Sequence, residues 1–151
     1  MTNSNKVISA LNQLIETCKD GEKGFREASE AIHNGYFHIL FKEYARRRGQ
    51  FVSQLRTQVR FLGGEPERKG SVAGTLHRGW MNLRTALNKG KDELVIFECE
   101  RGEEAAVHHY EQVLKLELPS ETRSLLEEQL NEINATLRRV KAMEVPAIPG
   151  V

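Results

Sequence analysis

Cysteine, proline and long apolar runs are all scarce in this chain of 151 residues. Its two cysteines, Cys18 and Cys99, stand far apart, which excludes a local zinc motif and the disulfide framework of a small secreted domain. No apolar run approaches the roughly 18–20 residues that a membrane helix needs, and the first residues lack a signal peptide's apolar stretch. We therefore expect a cytoplasmic protein with reduced thiols and no membrane contact.

An excess of charge of either sign is also missing. The 22 lysines and arginines almost balance the 21 aspartates and glutamates, for a formal net charge of +1. This balance argues against a dedicated nucleic-acid binder, although the chain contains the basic run Arg46-Arg47-Arg48. Because later segments are rich in glutamate, we interpret that run as a solvated helix face and expect no nucleic-acid partner.

The few prolines indicate where helices end, because proline is excluded from helix interiors. Between them, apolar residues recur in steps of three and four, the period of an amphipathic helix. The pattern predicts four long helices and a short one, over residues 5–32, 36–62, 71–88 (the short one), 92–117 and 120–143. Residues 1–145 then form one domain, and residues 146–151 are expected to be a flexible tail.

The predicted connections differ in length. Residues 33–35 and 118–120 are short turns that predict two antiparallel hairpins, whereas residues 63–91 join the hairpins. A single long crossover is typical of ferritin-like connectivity. The sequence thus predicts an all-α, ferritin-like four-helix bundle whose crossover carries a short fifth helix. Trp80, in the crossover, is expected to plug the bundle or, alternatively, to form a contact between two copies.

The pattern Cys-x-x-Gly-Glu occurs twice, at residues 18–22 in the first helix and 99–103 in the third long helix. Its equivalent placement predicts two hairpins related by a pseudo-two-fold axis. Gly21 and Gly102 leave no side chain at the helix interface, so either a bulky partner fills the space or the helices approach closely.

A combination of motifs resembles a bacterial ferritin-like four-helix-bundle family of unknown function. The motifs are LIETCKDGEKGF at residues 14–25, LGGEP at 62–66, HRGWM at 77–81 and ERGE at 100–103. The resemblance spans about residues 5–144. It implies the bundle fold and implies no activity.

The wider ferritin-like group often binds two metals, through one Glu on each of two helices and Glu-x-x-His on the other two. Glu22 and Glu103 match the single-Glu positions, but Arg46 and Asn131 stand where the histidines would be. His109, near Glu103 on the same helix, is a further candidate metal ligand, with a hydrogen-bonded core histidine as the alternative.

Two inward carboxylates need protons, cations or a metal. We expect Glu22 and Glu103 to face the bundle centre and to be neutralised by Arg47 or Arg48. Together with Gly21 and Gly102, these arginines would form a structural polar centre. Cys18 and Cys99 are interpreted as small buried side chains, with a redox pair as the alternative.

These patterns favour a non-enzymatic bundle that acts by binding or assembly, forms a homodimer and needs no cofactor. Analogy at the level of the fold suggests a role in stress physiology. The alternative is a carboxylate-bridged iron or manganese protein, an oxidoreductase or a storage protein, that uses Glu22, Glu103 and His109. A third hypothesis is a nucleic-acid-associated protein that uses the basic second helix.

Overall fold

In a computed structural model, residues 3–66 and 78–144 are described. Their elements are α1 (Asn3–Ala31), α2 (Gly35–Phe61), a 3₁₀ turn η1 (Arg78–Trp80), α3 (Leu83–Lys89), α4 (Asp92–Val113) and α5 (Ser120–Met143). These ranges contain helices and no strand, which confirms the all-α prediction. The first part of the predicted crossover helix, residues 71–77, and the predicted tail, residues 146–151, lie outside the described residues.

The chain order of the helices produces a ferritin-like bundle. The hairpins α1–α2 and α4–α5 pack side by side through α1 and α4, whereas α2 and α5 touch sparsely. The Asp92 carboxylate, at the start of α4, accepts hydrogen bonds from the backbone amides of His33 and Asn34, at 2.8 and 3.0 Å. Since α4 therefore starts where α1 ends, it runs antiparallel to α1 and parallel to α2. No helix among residues 3–66 and 78–144 is long and apolar enough to cross a membrane.

Three predicted helix ends shift for local reasons. Asn34, in the predicted turn, caps α2: its side chain accepts a hydrogen bond from the Phe37 amide at 3.0 Å, so that helix begins at Gly35. The predicted helix over residues 92–117 ends at Val113, because Arg123 binds the carbonyls of Leu114 and Leu116 beyond it, at 3.1 and 2.9 Å. The described part of the crossover is helical only at η1 and α3.

The apolar core has two halves. One half lies around Leu11, Leu55 and Leu126, and the other around Phe25 and Val95. Each half takes residues from α1, α2, α4 and α5, so every long helix is anchored at two levels. The middle of the bundle, between the two halves, is where the polar side chains described below are buried.

Trp80 plugs the side of the bundle, as its position in the crossover predicted. Its indole is largely buried, at 8% exposure, against Gly24 of α1 and Gly102 of α4. A Cβ atom built on either glycine would collide with the indole ring. The absence of a side chain at Gly102 therefore serves close packing of the crossover on α4.

Replacing Gly102 with alanine is expected to destabilise the fold by about 1–3 kcal/mol, the usual cost of overpacking a core. Gly35→Ala is the matched control, because a Cβ there meets nothing within 4 Å. Urea unfolding followed by circular dichroism measures both. Equal stability of the two variants would show that the Trp80 contact does not constrain the bundle.

Candidate site at the bundle centre

A buried ion pair joins α2 to α4 in the middle of the bundle. Arg48 donates from Nη1 to Glu103 Oε1 at 2.8 Å and from Nη2 to Glu103 Oε2 at 2.7 Å. The two side chains are 3% and 0% exposed. This two-fold donation is the strongest geometry between arginine and a carboxylate. The expected pairing of an inward carboxylate with arginine thus occurs at Glu103.

The guanidinium of Arg48 fits because α1 has no side chain at Gly21, where the two helices meet. A Cβ on Gly21 would lie 2.6 Å from Arg48 Nη1, so a larger residue at that position would displace the ion pair. The guanidinium carbon also lies 5.7 Å from the ring centre of Phe25 and 5.6 Å from that of Phe51. These are cation–π distances, and the two rings belong to opposite halves of the core.

Arg48 stays charged in this setting. Burial acts to lower its pKa, but the charge of Glu103 and the hydrogen bonds to it outweigh burial and raise the pKa above its usual value. The centre of the bundle therefore contains a permanent cation, and the carboxylate of Glu103 has both oxygens engaged by it.

A second polar chain crosses the bundle beside the ion pair. The Cys18 thiol and the Tyr110 hydroxyl lie 3.1 Å apart, Tyr110 donates to Gln129 Oε1 at 2.7 Å, and Gln129 donates to Gln54 Oε1 at 2.9 Å. Burial, partly offset by Arg48, raises the pKa of Cys18 to about 11. The thiol therefore stays protonated at neutral pH.

Tyr110 occupies the core position that was considered for its neighbour His109. Tyr110 is fully buried, whereas His109 lies beside it, half-buried, with its Nδ1 2.9 Å from Thr17 Oγ1. Since the two residues are neighbours, the sequence could have favoured Tyr110 as the core residue because its ring is the more apolar of the two. Gln129 carried no such signal, because its burial is explained by its hydrogen bonds to Tyr110 and Gln54, which the sequence does not reveal.

Glu22 does not face the bundle centre, and that expectation was wrong. It is half-buried, lines a groove between α1 and α2, and lies against Gly49. Glu22 follows Gly21 as Glu103 follows Gly102, but Glu22 lies in the α1–α2 groove, whereas Glu103 is buried against Arg48. The same motif position therefore points outward on α1 and inward on α4.

Arg47 also lies outside the polar centre that was predicted for it. It pairs with Glu132 of α5, and both side chains are about two-fifths exposed. Arg46 pairs with Glu43 one turn away on α2. Because Arg48 binds Glu103, each arginine of the basic run forms an ion pair with a glutamate. This local neutralisation explains how a triple-arginine run fits in a chain of nearly zero net charge.

The donors at the centre do not fit a di-metal site. Within residues 3–66 and 78–144, no group of three or more His, Cys, Asp or Glu side chains is placed to hold a metal ion. Glu103 already accepts both hydrogen bonds of Arg48, whose positive charge would repel a metal cation. The two free cysteines are both buried, Cys18 in one half of the core and Cys99 in the other.

Comparisons with known proteins identify a family by sequence and a similar fold by structure. A sequence profile of a domain of unknown function, DUF2383, matches residues 6–116, more than half of the chain. Bacterioferritin from Desulfovibrio desulfuricans, a protein with a diiron site, superposes with a TM-score of 0.70 at 18% identity, over 94% of this chain and 80% of that one. No curated protein sequence matches. At this identity the structural likeness shows the fold alone.

Replacing Arg48 with alanine is expected to destabilise the protein by about 3–5 kcal/mol, because Glu103 would be left buried without a counter-charge. Arg47→Ala is the matched control and is expected to cost less than about 1 kcal/mol, as is usual for an exposed ion pair. Chemical unfolding measures both. A cost of Arg48→Ala no larger than that of Arg47→Ala would contradict the central role of this pair.

The Asp20 carboxyl, next to Gly21, is expected to make the stability of the fold depend on pH. Burial and then the nearby charge of Glu16 raise its pKa to about 7. The folded state therefore binds more protons than the unfolded state between the two pKa values, and stability falls as the pH rises toward 7. Asp20→Asn should remove this loss and gain about 1 kcal/mol at pH 8, after allowance for partial exposure, with little change at pH 4.

Asp92→Asn is the control with the opposite sign. Burial acts to raise the pKa of Asp92, but the hydrogen bonds from His33 and Asn34 lower it overall. Its contribution to stability is present above the ordinary aspartate pKa and is lost as the pH falls. Urea unfolding at pH 4 and pH 8 compares the two variants. A loss of stability at pH 8 in Asp20→Asn would contradict the assignment.

Proposed function

The chain belongs to the family of the domain of unknown function DUF2383, and from this premise we propose that it is a binding or assembly protein without a catalytic metal centre. The observation that carries the proposal is the Arg48–Glu103 pair. A bundle centre needs its buried carboxylate neutralised. In this chain a guanidinium meets that need, which supports a bundle that requires no metal.

Exposed apolar side chains on the surface support the assembly part of the proposal. Large apolar side chains are left exposed on the described part of the chain, namely those of Tyr36, Ile39, Phe61, Met81 and Phe97. Tyr36 and Ile39 are 65% and 64% exposed and stand three residues apart on α2, so they share one face of that helix. We propose a homodimer as the assembled form.

The competing function is metal binding, since the structurally similar bacterioferritin has a diiron site. It would use Glu22, Glu103 and His109 with iron or manganese. His109 binds Thr17, Glu22 lies in the α1–α2 groove, and Glu103 is held by Arg48. Bringing the three together would require the ion pair to break and α1 to rotate.

Metal analysis separates the two functions. The protein as purified, and again after incubation with Fe(II) or Mn(II) and removal of free metal, is expected to contain far less than one metal per chain. Elemental mass spectrometry measures this directly. Stoichiometric iron or manganese that is released by Glu22→Ala, and not by the exposed-site control Glu43→Ala, would establish the metal function instead.

A further inference from the structure

The bundle face formed by α2 and α5 carries an open cleft. The described parts of the crossover, η1 and α3, pack on α1 and α4, and α2 and α5 themselves touch sparsely. A cleft of about 410 Å³ lies between them, with Tyr44, Arg47, Arg48, Glu132, Thr136 and Arg139 among its lining residues. It continues along the same helices into a second cleft of about 520 Å³, which shares Arg47 and Glu132.

Positive charge exceeds negative charge in this cleft. Four arginines line it against two glutamates, Glu43 and Glu132. Three of the arginines are engaged, because Arg46 and Arg47 pair with these glutamates and Arg48 pairs with Glu103 beneath the floor. Arg139 is exposed, and among the described residues it has no carboxylate within ion-pair distance. It is therefore a cation available to a ligand.

A buried hydroxyl lies beside this cation. Tyr44 lines the cleft and is 9% exposed, and its hydroxyl oxygen is covered. The Arg139 guanidinium lies beside the hydroxyl oxygen as a hydrogen-bond donor, and it cannot accept the hydroxyl's own hydrogen bond. Buried hydroxyl groups in proteins normally have a partner. The Tyr44 hydroxyl is thus a donor for which the chain supplies no acceptor of good geometry.

We propose that the α2–α5 cleft binds a small oxyanion, inorganic phosphate or a carboxylate, on the Arg139 guanidinium, which moves aside so that the ligand also accepts a hydrogen bond from the Tyr44 hydroxyl. The oxyanion supplies the acceptor that the hydroxyl lacks, and arginine's planar fork suits two of its oxygens. The exposed Arg47–Glu132 pair is weak enough to open toward the ligand. This proposal gives a ligand class to the binding function proposed above and rests on it.

The test is an amide NMR titration of the full chain with inorganic phosphate, and separately with acetate, at constant ionic strength set by sodium chloride. Saturable shifts are expected for residues 44–51 and 132–139, with tighter binding of phosphate because it carries more charge at pH 7.5. Arg139→Gln should weaken binding about tenfold, the effect of losing one charge-assisted hydrogen bond. Tyr44→Phe should weaken it several-fold.

Arg138→Gln is the matched control, because Arg138 is exposed and is not among the residues that line the cleft. It should bind phosphate as the parent does, and the spectra themselves show whether each variant is folded. Absence of saturable shifts, or equal weakening in Arg138→Gln and Arg139→Gln, would overturn the proposal. A metal-free protein that binds neither anion would refute this inference and leave the proposed function standing, whereas stoichiometric metal would refute the latter.

Discussion

A guanidinium buried in a protein interior must be neutralised by an opposite charge, and this constraint organises the centre of the bundle. Arg48 extends from α2 to Glu103 on α4, and it fits only because α1 presents Gly21. Its guanidinium carbon lies over the rings of Phe25 and Phe51, one from each half of the core. One side chain therefore relates three helices and both core halves, which would fix their register.

Burial of the pair does not by itself imply a gain in stability. A well-packed apolar pair of the same volume is often as stable as a buried ion pair, because the desolvation of both charges opposes their attraction. What the pair supplies is selectivity among packings, since any slip of α2 against α4 would leave two charges buried and unpaired. The adjoining chain from Cys18 to Gln54 adds a second polar requirement at the same level of the bundle.

The fold could be predicted further than the site. Proline placement and periodicity located the long helices, because each one buries a continuous stripe. Glu22 and Glu103 could not be distinguished, since the rotation of a helix about its axis depends on its neighbours. Periodicity placed Arg48 on the apolar stripe of the second helix with Arg47 beside it, and the packing shows that Arg48 is the buried one of the two. The choice of Tyr110 over His109 is a similar shift by one residue.

This chain shares the fold of bacterioferritin at low sequence identity. A bundle with 18% identity to that diiron protein keeps the helix arrangement while an arginine occupies the middle. Fold alone therefore predicts little of the function.

A double-mutant cycle with Arg48→Met, Glu103→Leu and the combined variant tests the central claim most directly, with unfolding free energy as the readout. If the pair organises the centre, the single variants lose far more than the double variant, and the coupling exceeds about 2 kcal/mol. Losses that add to within about 0.5 kcal/mol would show that the two side chains are independent and would contradict the account.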